Sequence, residues 1–174
     1  MNSVLKTYSS VLLLCCLAFF TFLMFRITVQ YVPFNLDVAF LRIKQDYIDI
    51  IPWRVAFFIH VYTSMFALIA GFTQFSKTIL KDHKKIHRTI GKLYVVVILC
   101  LTGPSGFIMA IYANGGLSSK IGFLLLAILW MFFTYKAFRF ALKKQFIEHK
   151  KYMYRSYTLT LSAITLRAWK YMLV

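Results

Sequence analysis

Acidic residues are nearly missing from this chain: 5 Asp and Glu stand against 21 Lys and Arg in 174 residues. Asp37, Asp46 and Asp49 fall between two apolar runs, and Asp82 and Glu148 sit at the rims of others, so no carboxylate lies inside an apolar run. A proton pump of the usual carboxylate type and a hydrolase built on histidine-held metal both lose the acids they need. No Ser-His-Asp set, glycine-rich phosphate loop or paired carboxylate is present. Cysteine is equally scarce. Cys15, Cys16 and Cys100 lie within apolar stretches, without the spacing of a disulfide framework or a zinc site, and read as packing residues.

What the chain has in excess is apolar surface. It is 60% hydrophobic with 18 Phe, whereas soluble domains sit near 45–50% apolar. The apolar stretches are long and continuous rather than alternating. Backbone groups facing lipid must be satisfied within their own segment or in a closed barrel, so an all-α membrane bundle is expected. Tyr8–Phe25, Trp53–Phe75, Ile90–Ala113 and Lys120–Leu142 each approach or exceed the roughly 18–20 residues that cross about 30 Å of hydrocarbon. A fifth span, Tyr152–Val174, is more polar, carrying Arg155, Ser156, Thr158, Thr160, Ser162, Thr165, Arg167 and Lys170. It fits the bilayer only with one face turned to the bundle or to water.

Charge sets the orientation. Ser76–Lys92 holds Lys77, Lys81, Lys84, Lys85, Arg88 and Lys92 against Asp82, and Lys136–Arg155 holds seven basic residues against Glu148. The positive-inside rule places both in the cytoplasm. The segment between the first two spans balances Arg42, Lys44 and Arg54 with Asp37, Asp46 and Asp49, and Asn114–Ser119 has no charge, so both face outward and the amino terminus lies inside. The net charge of +16 then forms a basic cytoplasmic surface suited to anionic lipid head groups rather than to nucleic acid. A single Lys6 precedes the first span, which lacks a small-residue cleavage site and reads as an uncleaved anchor. Within Pro33–Pro52, Val38, Leu41, Ile43, Tyr47, Ile48, Ile50 and Ile51 interleave with charge, as in an amphipathic helix resting on the outer surface.

Polar residues at membrane depth carry the functional argument, because they are costly there. In the second span His60, Thr63, Ser64, Ala67, Gly71 and Gln74 form one stripe, either a site or close helix packing around a bonded histidine. His149 and Arg167 lie about five helical turns apart on one face of the fifth span, with Ser156 and Thr160 near the same line. His60 and Arg167 each lie roughly 10 Å from the outer end, at about 1.5 Å per residue, and would share an outer-leaflet pocket. Such a pair favours a carboxylate, a phosphate or a cofactor propionate, unless His60 is neutral and accepts from Arg167, or Arg167 reaches the interface along its own stem.

Gly103-Pro104-Ser105-Gly106 must weaken or kink the third span, and the Cys100 carbonyl, deprived of its donor, needs a hydroxyl or water instead. At the inner face His83, His87 and His149 approach adjoining span ends, with Arg88 and Arg155 nearby. Two histidines on facing helices suit haem b, with arginines for its propionates; the same set suits a divalent metal or an ordinary interface.

The runs Trp53-Arg54 through His60, Gly71 and Gln74, then His87-Arg88-Thr89-Ile90-Gly91-Lys92-Leu93-Tyr94, then Glu148-His149-Lys150-Lys151-Tyr152-Met153-Tyr154-Arg155-Ser156-Tyr157 and Thr165-Leu166-Arg167 resemble a family of predicted multi-pass prokaryotic membrane proteins, domain of unknown function 2306. The resemblance covers most of the chain after Phe34 and implies a bacterial inner-membrane protein of undetermined activity. The layout is also loosely similar to transmembrane b-type cytochromes of the two-haem kind. Those place paired histidines at two depths, whereas only His60 lies well inside here, so a single inner haem on His87 and His149 is what that likeness leaves. The expected function is therefore a cofactor-binding, redox-type membrane protein using His60, His87, His149, Arg155 and Arg167. Its alternative is a small carrier, or an accessory subunit beside partner membrane subunits.

Overall fold

A computed structural model describes residues 3–173, apart from the side chains at positions 3–7, 9, 10, 13, 77, 168 and 170–173. Lys6, Lys77 and Lys170, which enter the charge argument above, thus have side chains outside the described residues. The helices are α1 Ser3–Val29, α2 Gln45–Ile48, α3 Ile51–Gln74, α4 Lys77–Asp82, α5 Lys84–Val96, α6 Gly103–Ile111, α7 Gly116–Leu142 and α8 Phe146–Leu173. A 3-10 turn, Ala39–Lys44, precedes α2, and a π-helical turn, Val97–Thr102, joins α5 to α6. Among the described residues there is no strand.

Among the described residues three helices are long and apolar enough to cross a membrane: Ile51–Gln74, the continuous Lys84–Ile111, and Gly116–Leu142. The α5 helix starts at Lys84, six residues before the expected span at Ile90, because lysines and arginines favour helix and can extend their charged ends into the interface. Hydropathy marks the lipid and not the end of the helix. Pro52 occupies the first turn of α3, where its missing N–H is harmless. Gly115, at φ +94°, makes the left-handed turn that opens α7.

Packing follows two stripes. Ala127, Trp130, Thr134 and Ala137 recur every three or four residues along α7 and are its only buried side chains among the described residues. Trp130 and Ala137 meet Tyr94, Ile98, Met153, Tyr157, Ala67 and Ala70 in one cluster, which fastens α7 and α8 to α3 and α5. Met24 of α1, Met65 and Leu68 of α3 and Ile164 of α8 make a second cluster. Phe75 at the end of α3 stacks on Tyr154 near the start of α8, with ring centroids 5.1 Å apart. Both basic links therefore lie at one end of the bundle.

The segment between α1 and α3 does not form a single helix. Its 3-10 turn and the one-turn α2 fold down onto the opposite end of the bundle, with Leu41, Lys44 and Ile48 buried. Tyr31, Trp53, Phe57, Phe58 and Val61 complete that cluster, while Ile43 and Ile51 point away. Most of the expected apolar face, namely Val38, Leu41, Tyr47, Ile48 and Ile50, is thus spent on protein contact.

Candidate functional site

The π-helical turn organises the middle of the bundle. Pro104 has no N–H to donate, and the Gly103 N–H reaches back five residues to the Ile98 carbonyl. Repair of the freed backbone falls just beyond the expected Cys100. The Ser105 hydroxyl bonds the carbonyls of Leu101 and Thr102 at 2.6 and 3.1 Å, and His60 Nδ1 meets the Thr102 carbonyl at 2.9 Å. Since a carbonyl only accepts, Nδ1 carries the proton and Nε2 is left for another partner. The Thr63 and Thr102 hydroxyls add a bond of 2.9 Å between α3 and the π turn. Gly106 lets the imidazole lie close, because a Cβ there would stand 2.9 Å from His60 Cε1.

Tyr31 follows α1, His60 lies on α3 and Arg167 on α8, where its guanidinium bonds the Ala163 carbonyl at 3.5 Å. The Arg167 charge acts on both His60 and Tyr31. The spacing argument expects His60 and Arg167 at one depth, and the Arg167 charge is among those that act on His60. It did not foresee Tyr31, whose buried phenol accepts the Phe40 N–H at 3.3 Å and whose carbonyl accepts Tyr62 Oη–H at 2.8 Å. Burial raises the Tyr31 phenol above its ordinary value, and the Phe40 amide and the Arg167 charge oppose that rise.

The remainder of the α3 stripe is packing. The Tyr157 ring lies over Gly71 and donates to the Leu68 carbonyl at 2.9 Å, while Gln74 Nε2 donates to the His87 carbonyl at 3.1 Å. Ser156 and Thr160 belong to a closed hydroxyl network. Thr134 donates to the Trp130 carbonyl (2.7 Å), Ser156 to Thr134 (2.7 Å) and Tyr94 to Ser156 (2.8 Å), and the Trp130 indole donates to Thr160 (3.1 Å). Each hydroxyl proton has an acceptor, as burial in a low-dielectric interior requires.

At the other end the charge of His149 acts on His87. His149 Nδ1 bonds the Ala137 carbonyl at 2.9 Å, and His87 Nδ1 is buried without a hydrogen-bond partner among the described residues. The wider set does not assemble. His83 is exposed at the start of α5, Arg88 is exposed, and the Arg155 guanidinium lies over the rings of Tyr152 and Phe133, 5.0 and 5.7 Å from their centroids. Among the described residues no three His, Cys, Asp or Glu side chains form a metal site. Haem binding gains no support from this arrangement.

Lys44 was not singled out by sequence, since it read as an ordinary surface charge. It is 2% exposed. Its Nζ donates to the Tyr112 carbonyl and to Asn114 Oδ1 and lies 4.7 Å from the Tyr47 ring centroid. Burial holds its pKa below the ordinary lysine value, the Lys120 charge adds to this, and Asp46 opposes it.

A search among curated proteins and solved structures finds no match, and the likeness to b-type cytochromes is not shown. The family described as Predicted membrane protein (DUF2306) matches residues 57–174, which takes in His60, His87, His149, Arg155 and Arg167 and leaves out α1 and the capping segment. Covering well over half of 174 residues, that match and the three apolar helices establish that the chain belongs to the DUF2306 family of predicted membrane proteins.

Proposed function

We propose that the chain spans a bacterial inner membrane five times, with its amino terminus and both basic links in the cytoplasm, and that its outer half holds an anionic group between His60 and Arg167. What supports it is a histidine of α3 whose Nδ1 is already fixed on the Thr102 carbonyl and on which the charge of Arg167, from α8, acts. A guanidinium fork beside an imidazole is a donor set for a carboxylate or phosphate. No Asp or Glu occurs between Asp49 and Asp82, between Asp82 and Glu148, or after Glu148, so the span sequences supply no acidic side chain of their own. The five-span reading rests on α1 and α8, helices of 27 and 28 residues, and on the basic links sharing one end, where anionic lipid head groups would meet them. The activity that follows is ligand binding, as a cofactor-holding protein or as a carrier or accessory subunit with partner membrane subunits.

The test is thermal unfolding of the detergent-purified chain titrated with inorganic phosphate and, separately, succinate. Wild type should be stabilised by at least one, and Arg167→Gln and His60→Ala should each lose that response. An equal response in the variants, or none in wild type together with no anion co-purifying in native mass spectrometry, would overturn the reading.

A further inference from the structure

We infer that the segment from Tyr31 to Ile48 is a lid closed over the outer-half site, and that Lys44 is the clasp that keeps it shut. This rests on the reading of His60 and Arg167 as a binding site.

The covalent ends of the segment, α1 and α3, hold it at the α1–α3 side of the bundle. Lys44 is what ties it across to the far side. Its Nζ reaches the carbonyl of Tyr112, which ends α6, and the Asn114 side chain in the link to α7. A carbonyl at a helix end has no partner within its own helix, so this bond satisfies a group that otherwise needs water. The ammonium also lies over the rings of Tyr47 and Phe40, with centroids at 4.7 and 5.9 Å. An apolar residue would fill the same space, but only a long donor joins these two parts of the chain by hydrogen bonds. Burying an amine is costly unless its bonds are kept, so the closed lid is held by contacts that can be broken together.

The lid also packs on the first turns of α3, against Trp53, Phe57, Phe58 and Val61, which flank His60 in sequence. Phe40, beneath Lys44, stacks on Phe57 at 6.0 Å and donates its N–H to Tyr31 Oη at 3.3 Å, and the Tyr31 phenol in turn feels the Arg167 charge. Opening the segment would free Tyr31 and expose the first turns of α3, where His60 lies.

The experiment is hydrogen exchange of the full chain in detergent, followed by mass spectrometry. Lys44→Met keeps the bulk and loses the donors, so amides of residues 39–48 and of the first turns of α3 should exchange about tenfold faster, while α7 stays as in wild type. Asn114→Ala removes one acceptor and should give a smaller change of the same sign, which keeps the test open if Lys44→Met folds poorly. Arg167→Gln should leave exchange in residues 39–48 unchanged, so a failure of the anion site and a failure of the clasp are read separately. Unchanged or slower exchange of residues 39–48 in both Lys44→Met and Asn114→Ala would overturn the clasp.

Discussion

The ring of Tyr157 occupies the place where a side chain on Gly71 would stand. A Cβ built there falls well inside contact with Tyr157 Cζ, Cε2 and Oη. The glycine is thus needed for close approach of α8 to α3, not for an unusual backbone angle. Gly71→Ala should destabilise the protein by about 1–3 kcal/mol, the usual cost of overpacking. Tyr157→Phe, which gives up only the bond to the Leu68 carbonyl, should cost less. Melting in detergent checks the order, and equal stability of Gly71→Ala and wild type would refute it.

Tyr94 and Ser156 join α5 to α8 through one hydroxyl pair at 2.8 Å, within a network that also holds α7. Interhelical bonds of this kind are worth about 0.6 kcal/mol each in membranes. A double-mutant cycle of Tyr94→Phe and Ser156→Ala should show coupling of about that size, because the two hydroxyls share a proton path. Strictly additive losses would mean that the pair is incidental.

Much of this was legible in the sequence. The all-helical class, the apolar spans within Ile51–Gln74, Lys84–Ile111 and Gly116–Leu142, and the shared end of the basic links all follow from period, length and charge, which lipid makes unusually strict. Lys44 was illegible because a lysine among Asp37, Arg42, Asp46 and Asp49 looks solvated, and only the chain's return over α6 buries it. Thr134 and Trp130 were hidden in the uniformly apolar α7, whose outer face gives no contrast. The inner histidines were overread. Spacing brought His87 and His149 together, but it carried no information on the direction of Arg155, which turns to the aromatic rings of Phe133 and Tyr152.

Lys44 gives a dependence on pH. Its folded pKa lies below the ordinary value, which is about 10.4 in an unfolded chain. Below the folded pKa both states are protonated and the full cost of burying the charge is present. As pH rises through the folded pKa toward the unfolded one, the folded state sheds its proton first, and stability increases. Wild type should therefore gain melting temperature relative to Lys44→Met between neutral pH and about pH 10. A difference that stays flat, or moves the other way, would show that Lys44 remains charged in the fold at no cost.

Orientation in the membrane is the claim on which the site, its depth and its lid all depend. It is tested most directly by reporter fusions made after Lys84, after Asn114 and after Lys144. Fusions at Lys84 and Lys144 should report from the cytoplasm and the fusion at Asn114 from outside. If Lys84 and Lys144 report from opposite sides, the chain does not cross as a bundle with one basic end, and His60 and Arg167 do not share an outer half.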